Sequence, residues 1–123
     1  MSNNFVKIVN RFSEEPVVAG GSLISEEINL MDLAQYGFFS LQLTVTGDGT
    51  AKVEYLCSNN DSDFIKPVGA DDIVTGFTKT SGPNSDGKGF YSFYPEPCGW
   101  MKIKVTETGG VKAIAVTLDI AIQ

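Results

Sequence analysis

Residues 38–57 read FFSLQLTVTGDGTAKVEYLC, and two alternating runs meet there at a glycine-containing turn. In the first run, apolar side chains occupy every second position from Phe39 to Val45, with Ser, Gln and Thr between them. A period of two is typical of a β-strand that buries one face. The second run, AKVEYLC, alternates in the same way. Because only the short TGDGT segment separates the two runs, the pattern predicts a β-hairpin.

The C-terminal part of the chain repeats this arrangement. The segment MKIKVTET at 101–108 alternates apolar and polar residues, and Gly109-Gly110 follows it. The last segment, VKAIAVTLDIAIQ, then carries an apolar stripe from Ile114 to Ile122. These features predict a second hairpin.

Shorter signals lie upstream, where FVKIV (5–9) and SLISEEINL (22–30) are strand candidates. LMDLAQY (30–36), followed by a glycine, predicts one helical turn. Because FVKIV precedes a polar SEEP turn, residues 1–15 are a candidate N-terminal arm or edge strand. With no repeat or linker in the sequence, residues 1–123 are expected to form a single domain. The pattern predicts an all-β antiparallel sandwich of jelly-roll or immunoglobulin-like type, with about seven to nine short strands and at most one short helix.

Charge and hydropathy limit the partners that can be expected. Fifteen acidic residues against nine basic ones give a net charge of −6, which opposes binding to a phosphate backbone, so we expect no nucleic-acid partner. No apolar run approaches the roughly 20 residues that cross a bilayer, so we expect no membrane partner and a chain that is cytoplasmic when made. In that reducing compartment, Cys57 and Cys98 are expected to remain free thiols that pack as small hydrophobic residues.

Motifs for catalysis or nucleotide binding are incomplete. Residues 82–89, GPNSDGKG, match a phosphate-binding loop except at Gly89, where Ser or Thr is required, and a strand-like segment follows instead of a helix. The chain contains no histidine, which excludes Ser-His-Asp and Cys-His systems and histidine-bound zinc. A glycosidase with paired carboxylates would need a cleft that no pattern here specifies. We therefore expect a protein that is not an enzyme, with no catalytic residue and no cofactor.

One loop has a partial calcium-binding pattern. Asn59, Asp61 and Asp63 alternate oxygen-bearing side chains, as at the start of an EF-hand loop. However, Phe64 stands where the sharp-turn glycine belongs and Ala70 where the bidentate glutamate belongs. The segment is therefore expected to be a solvated turn, and its three oxygen-bearing residues are calcium candidates only for an irregular site.

The segment GFYSFYPEPCGWMKI at 89–103 contains five aromatic rings. Its two prolines cannot donate hydrogen bonds to a sheet, so they predict a corner between strands, with the rings in a cluster that belongs to the core and this corner. The alternative is a ligand-binding surface in which Tyr91, Tyr94 and Trp100 stack against a sugar.

The run from about Gly20 to Gln123, including FFSLQLTVTGDGTAKVEYLCSNNDSDFIKP and SFYPEPCGWMKIKVTETGG, resembles small β-sandwich structural proteins of tailed bacteriophages and prophages. The resemblance implies a non-catalytic subunit of the virion, such as a head decoration, head-fibre or tail-associated protein. Its partners would be further copies of itself and other virion proteins, and no ligand residue carries over. The alternative is a monomeric carbohydrate-binding or adhesion module that uses exposed aromatic residues.

Overall fold

The computed structural model describes residues 6–31 and 37–123, which form nine strands and no helix. The strand positions agree with the alternating runs of the sequence. The strands are β1 (Lys7–Val17), β2 (Ser22–Ile24), β3 (Ile28–Asn29), β4 (Phe39–Gly47), β5 (Ala51–Ser58), β6 (Val74–Phe77), β7 (Lys88–Phe93), β8 (Trp100–Glu107) and β9 (Ile114–Ile122).

The strands pair into two antiparallel sheets. The first sheet has the order β1-β9-β4-β7, and the second has the order β2-β8-β5-β6, with β3 also paired to β8. If β2 and β3 are counted as one interrupted strand, the described residues form eight strands. In this count, the first strand (β1) pairs with the last (β9), and the second (β2 and β3) pairs with the seventh (β8). The third (β4) pairs with the sixth (β7), and the fourth (β5) pairs with the fifth (β6). This is the order of a hairpin rolled up on itself, so the fold is a jelly roll. The predicted β-sandwich is confirmed, and the immunoglobulin-like alternative is wrong.

The two predicted hairpins are also wrong, although their strands are in the predicted places. β4 belongs to the first sheet and β5 to the second, and in the same way β8 belongs to the second sheet and β9 to the first. Each glycine-containing turn therefore carries the chain across the sandwich instead of joining two neighbours in one sheet. Alternation shows which side chains of a strand point inward, but both sheets bury their inner faces, so it does not show which sheet a strand joins.

The N-terminal strand is longer than FVKIV predicted. β1 continues through the SEEP segment and pairs along its length with β9 of the same chain, at the edge of the first sheet. Two register shifts interrupt this pairing, and Glu14, within the second shift, has a φ of 50°. The expected turn is thus a bulged part of the strand, because extra residues can be placed in a bulge without ending the ladder.

The predicted helical turn at LMDLAQY lies largely outside the described residues, which omit 32–36. Over residues 6–31 and 37–123, no helix is long and apolar enough to cross a membrane.

The core lies between the sheets and is formed by the side chains that point inward from each strand. In β4, β8 and β9 every second side chain is buried, as the sequence alternation predicted. Leu41, Leu43, Ile103, Leu118 and Ile120 are completely buried. Each side chain of this size contributes about 1.5–3 kcal/mol when it is removed from water, so these stripes supply the main driving force for closing the sandwich.

One buried charge lies at the end of an inward stripe. Glu107 follows Met101, Ile103 and Val105 on the inner face of β8 and is 0% exposed. Its carboxylate accepts four backbone N–H hydrogen bonds, from Gly20 (2.9 Å), Thr50 (2.9 Å), Gly109 (2.7 Å) and Gly110 (2.7 Å). The donors belong to the β1–β2, β4–β5 and β8–β9 connections, each of which crosses between the sheets. Glu107 therefore joins three crossings at one end of the sandwich.

These crossings pack closely against one another. A Cβ atom at Gly49 would lie 2.4 Å from the carbonyl oxygen of Lys112 and 3.0 Å from Cγ of Glu107. Gly47, with a φ of 90°, leaves similarly little room beside Ala113. The glycines of TGDGT thus allow the β4–β5 turn to approach the β8–β9 turn.

We expect Glu107→Gln to lower the melting temperature by more than about 10 °C, because the amide NH₂ would face backbone N–H donors and leave them unpaired in the interior. Thermal unfolding followed by circular dichroism measures this change. Glu26→Gln, on the exposed β2–β3 connection, is the matched control and should leave the melting temperature within about 2 °C. Equal melting temperatures for the two variants would contradict the structural role of Glu107.

The same carboxylate predicts a defined response to acid. Hydrogen bonds from the N–H groups of Thr50, Gly20, Gly110 and Gly109 lower the pKa of Glu107 from 4.5 to about 2. Because the folded pKa is the lower one, the unfolded chain takes up the proton first as the pH falls. The contribution of Glu107 is therefore complete above pH 4.5 and is lost between pH 4.5 and about 2. The gap in melting temperature between the unsubstituted chain and Glu107→Gln should shrink over this range, whereas a gap independent of pH would contradict the assignment.

Candidate functional site

The outer face of the first sheet carries few charged side chains. Its side chains come from the outward parity of four strands in register, so that Ile8, Ala121, Ser40 and Ser92 form one row across the sheet. We call this surface the neutral face, and it comprises Ile8, Asn10, Pro16, Ser40, Gln42, Thr44, Thr46, Lys88, Phe90, Ser92, Ala115, Thr117, Asp119 and Ala121.

The charges on the neutral face are few and partly satisfied. Lys88 and Asp119 are the charged residues among those that define it, and the bulge of β1 adds the exposed Glu14, whose backbone N–H donates to the Thr117 hydroxyl at 3.0 Å. Asp119 accepts a hydrogen bond of 2.7 Å from the side-chain amide of Asn10. Two large apolar side chains, Ile8 and Phe90, are each 67% exposed at its opposite edge strands. The surface therefore presents small polar groups with an apolar side chain at each margin, which is a surface that can be desolvated at low cost.

The outer face of the second sheet is very different, because charged side chains occupy it. This charged face comprises Ser22, Ile24, Asn29, Lys52, Glu54, Leu56, Ser58, Trp100, Lys102, Lys104 and Thr106. Glu54 is largely buried between Lys52, at 3.6 Å, and Lys66, at 3.1 Å. Lys66 also binds Asp72, and the hydrogen bonds that its ammonium donates to Asp72 and then to Glu54 raise the pKa of Lys66. The charges around Glu54 thus pair within the chain, and the ammonium of Lys102 lies 4.3 Å from the centre of the Phe64 ring.

The calcium candidates of the sequence are held by hydrogen bonds within the protein. Asn59 accepts a hydrogen bond of 2.9 Å from the backbone N–H of Gly99, and Asp63 accepts one of 2.9 Å from the side-chain amide of Asn60. Asp61 has a φ of 58°, and its carboxyl group shares a hydrogen bond with that of Glu27. This hydrogen bond raises the pKa of Glu27. Within residues 6–31 and 37–123, no group of three or more His, Cys, Asp or Glu residues is arranged to hold a metal ion. The loop has the self-bonded geometry expected of an Asx turn.

The three aromatic ligand candidates do not share one surface. Tyr91 lies opposite the buried Leu41 in the register, and its ring packs edge-on against Phe77, with the centroids 6.1 Å apart. Gly89 provides the space, since a Cβ atom there would lie 2.7 Å from the Tyr91 ring. Tyr94 is 76% exposed just after β7. Trp100 lies on the charged face of the other sheet, beside the lysines.

The glycine-rich loop that resembles a phosphate-binding motif leads directly into β7 and not into a helix. Its backbone closes on itself, because the N–H of Gly87 donates to the carbonyl of Ser81 at 2.9 Å, and the N–H of Val45 donates to the carbonyl of Gly87 at 2.9 Å. The loop is thus a connection between the two sheets that is fastened to β4.

Two features escaped the sequence reasoning. Glu107 occupies the next inward position after Met101, Ile103 and Val105 and is followed closely by a glycine pair. An acidic residue at an inward position of this strand could have indicated a buried carboxylate. The neutral face was visible only as separate outward positions, because its composition depends on which strands are neighbours.

Comparison with protein-family models and with curated proteins gives no match. Among solved structures, the chain is similar to VP2 in a subviral particle of infectious bursal disease virus, with a TM-score of 0.57 and 12% identity. The match covers 99% of this chain and 34% of VP2, so the chain spans about a third of that protein. These values show a shared fold.

Two further solved structures are similar at a TM-score of 0.49. One is PliG of Aeromonas hydrophila, a periplasmic inhibitor of g-type lysozyme, with 14% identity over 96% of this chain and 86% of that chain. The other is a structure of the Gx strain of infectious bursal disease virus, with 11% identity over 97% of this chain and 32% of that chain.

We expect Tyr91→Ala to lower the free energy of unfolding by about 2 kcal/mol, because the half-buried ring packs against Phe77. Tyr94→Ala removes the exposed neighbour and should change the free energy of unfolding by less than about 0.5 kcal/mol. Urea denaturation of both variants measures the difference. If Tyr91→Ala were as mild as Tyr94→Ala, the ring of Tyr91 would be free to serve a ligand.

Proposed function

We propose that this chain is a non-catalytic structural subunit that assembles with copies of itself through the neutral face, as a head decoration, head-fibre or tail-associated component of a phage or prophage virion. The observation that carries the proposal is the contrast between the two outer faces of the sandwich. One face carries several charged side chains, some of them paired around Glu54, while the other face carries few charges.

The net charge of the chain makes this contrast important. Two copies that each carry a charge of −6 repel one another at most relative orientations. On the neutral face, Lys88 and Asp119 balance and Glu14 at the β1 bulge adds one negative charge, so two copies meet less repulsion there than at most other orientations. Small Ser, Thr and Ala side chains also let a second sheet pack at about 10 Å, the usual spacing of stacked sheets.

The size of the neutral face favours repeated contacts over one strong contact. Four strands at about 4.8 Å spacing and nine residues at about 3.3 Å rise give a surface of roughly 600 Å². A stable interface buries about 800 Å² on each partner, so a single pair of copies should bind modestly. A closed ring or an array on a larger particle would add several such contacts, as symmetric assemblies do.

The edge formed by β1 is less suited to assembly. β1 carries two register shifts, and Pro16 lacks an N–H donor, both of which hinder pairing with another chain. β1 also pairs with β9 of its own chain, so deletion of residues 1–15 would remove most of an edge strand. Loss of assembly in that deletion would not distinguish an arm from a damaged sheet, and a substitution on the face is the sharper test.

The assignment to a virion is supported by two further observations. The sequence resembles small β-sandwich structural proteins of tailed phages, and its fold is shared with VP2, which was solved as a subviral particle. A chain without histidine also lacks the base of the common nucleophilic hydrolases, which supports a role that is not catalytic.

We expect Phe90→Glu to shift the assembled protein towards the monomer, because it replaces an exposed apolar ring on the neutral face with a charge. Size-exclusion chromatography with light scattering, over a range of concentrations, measures the mass of each species. Ile24→Glu is the matched control, since it also places a glutamate at an exposed apolar position of an edge strand, but on the charged face.

The outcomes separate two parts of the proposal. If the unsubstituted chain is a monomer at every concentration, self-assembly is contradicted. If it assembles and both variants assemble equally, the neutral face is not the interface.

A further inference from the structure

The fold brings Cys57 and Cys98 together from distant parts of the chain. Cys57 lies near the end of β5, and Cys98 lies just before β8, which is paired with β5. The backbone N–H of Gly99 donates to the carbonyl of Ser58 at 3.2 Å and to the side chain of Asn59 at 2.9 Å, which fastens the β7–β8 connection to the end of β5. The two half-buried thiols therefore meet at a fixed position.

The two sulfur atoms have unequal environments. The thiol of Cys57 donates a hydrogen bond of 3.9 Å to the carbonyl oxygen of Glu96 and lies beside the sulfur of Cys98. Its pKa is raised, first by the contact with Cys98 and then by burial. The pKa of Cys98 is lowered, first by its contact with the Cys57 thiol and then by hydrogen bonds from the backbone at Ser58 and Trp100. Cys98 is thus the thiol that ionises more easily.

A reagent can reach this pair. Both cysteines line an open cavity of about 330 Å³, together with Ile65, Lys66, Pro67 and Glu96. The volume is sufficient for part of a small thiol compound, and the ammonium of Lys66 lies on its wall.

We propose that Cys57 and Cys98 are a redox-active pair, in which Cys98 attacks a low-molecular-weight disulfide and Cys57 resolves the adduct to give an intramolecular disulfide bond. Neither thiol is part of the neutral face, so the pair is independent of assembly through that face.

The exchange proceeds in two balanced steps. The Cys98 thiolate attacks one sulfur of the small disulfide, forms a mixed disulfide and releases one small thiolate. Cys57 then loses its proton to solvent, and its thiolate attacks the Cys98 sulfur and expels the second small thiolate. The two protein thiols are oxidised by two electrons, and the small disulfide is reduced to two thiols. The product ties β5 to the β7–β8 connection.

The test uses the folded, reduced chain and oxidised glutathione as the oxidant. Intact mass spectrometry should show the loss of two hydrogen atoms, and a non-reducing peptide map should show residues 57 and 98 in one linked pair of peptides. The oxidised chain should melt on the order of 5–15 °C higher than the reduced chain, since the bond restrains the unfolded state. A persistent glutathione adduct, a disulfide-linked dimer or a bond that does not raise the melting temperature would overturn the proposal.

Single variants test the order of the steps. In Cys57→Ser, one glutathionyl group should accumulate on Cys98, because the resolving thiol is absent. In Cys98→Ser, the remaining Cys57 should react at least about tenfold more slowly, because its thiolate is disfavoured. Equal rates for the two variants would overturn the assignment of Cys98 as the attacking thiol, and circular dichroism confirms that each variant is folded before the rates are compared.

Discussion

The hydrogen bonds that Glu107 accepts are the constraint on which the arrangement of the two sheets depends. Its buried carboxylate binds backbone N–H groups of the β1–β2, β4–β5 and β8–β9 connections, and each of these connections passes from one sheet to the other. Apolar burial alone would let the sheets slide or rotate, because it has no direction. A charged group with four directed donors fixes one relative position, and leaving it unpaired inside the protein would be costly.

With the sheets fixed in this way, the side chains that point inward from each strand form the core. The side chains that point outward are free to vary. The chain uses that freedom differently on its two sides. Around Glu54, the second sheet places long charged side chains that pair with one another and remain compatible with water. The first sheet places Ser, Thr, Ala and Gln, with Phe90 and Ile8 at the margins. Since both sheets have equivalent access to the core, folding does not explain the difference between their outer faces, and the proposed self-assembly through the neutral face would account for it.

The sequence was sufficient for the strands but insufficient for their neighbours. The alternation around Leu41 and Leu118 placed β4 and β9 correctly because a half-buried strand repeats every two residues. The same alternation cannot show that these two strands pair with each other, since their partnership joins residues far apart in the chain. The contact between Cys57 and Cys98 and the composition of the neutral face both depend on such pairings, so they emerged only with the structure.

The mistaken hairpins show where topological information does lie in this sequence. A glycine-containing turn such as TGDGT can join neighbouring strands of one sheet or cross between two sheets, and the local residues allow both. In a hairpin, the ladder satisfies most backbone donors near the turn, whereas a crossing leaves N–H groups that need another acceptor. Glu107 supplies this acceptor from the inward position at the end of β8, next to a second glycine turn. An acidic residue at an inward, otherwise apolar position of a strand, close to glycine turns, therefore indicates that these turns cross between sheets and do not form hairpins.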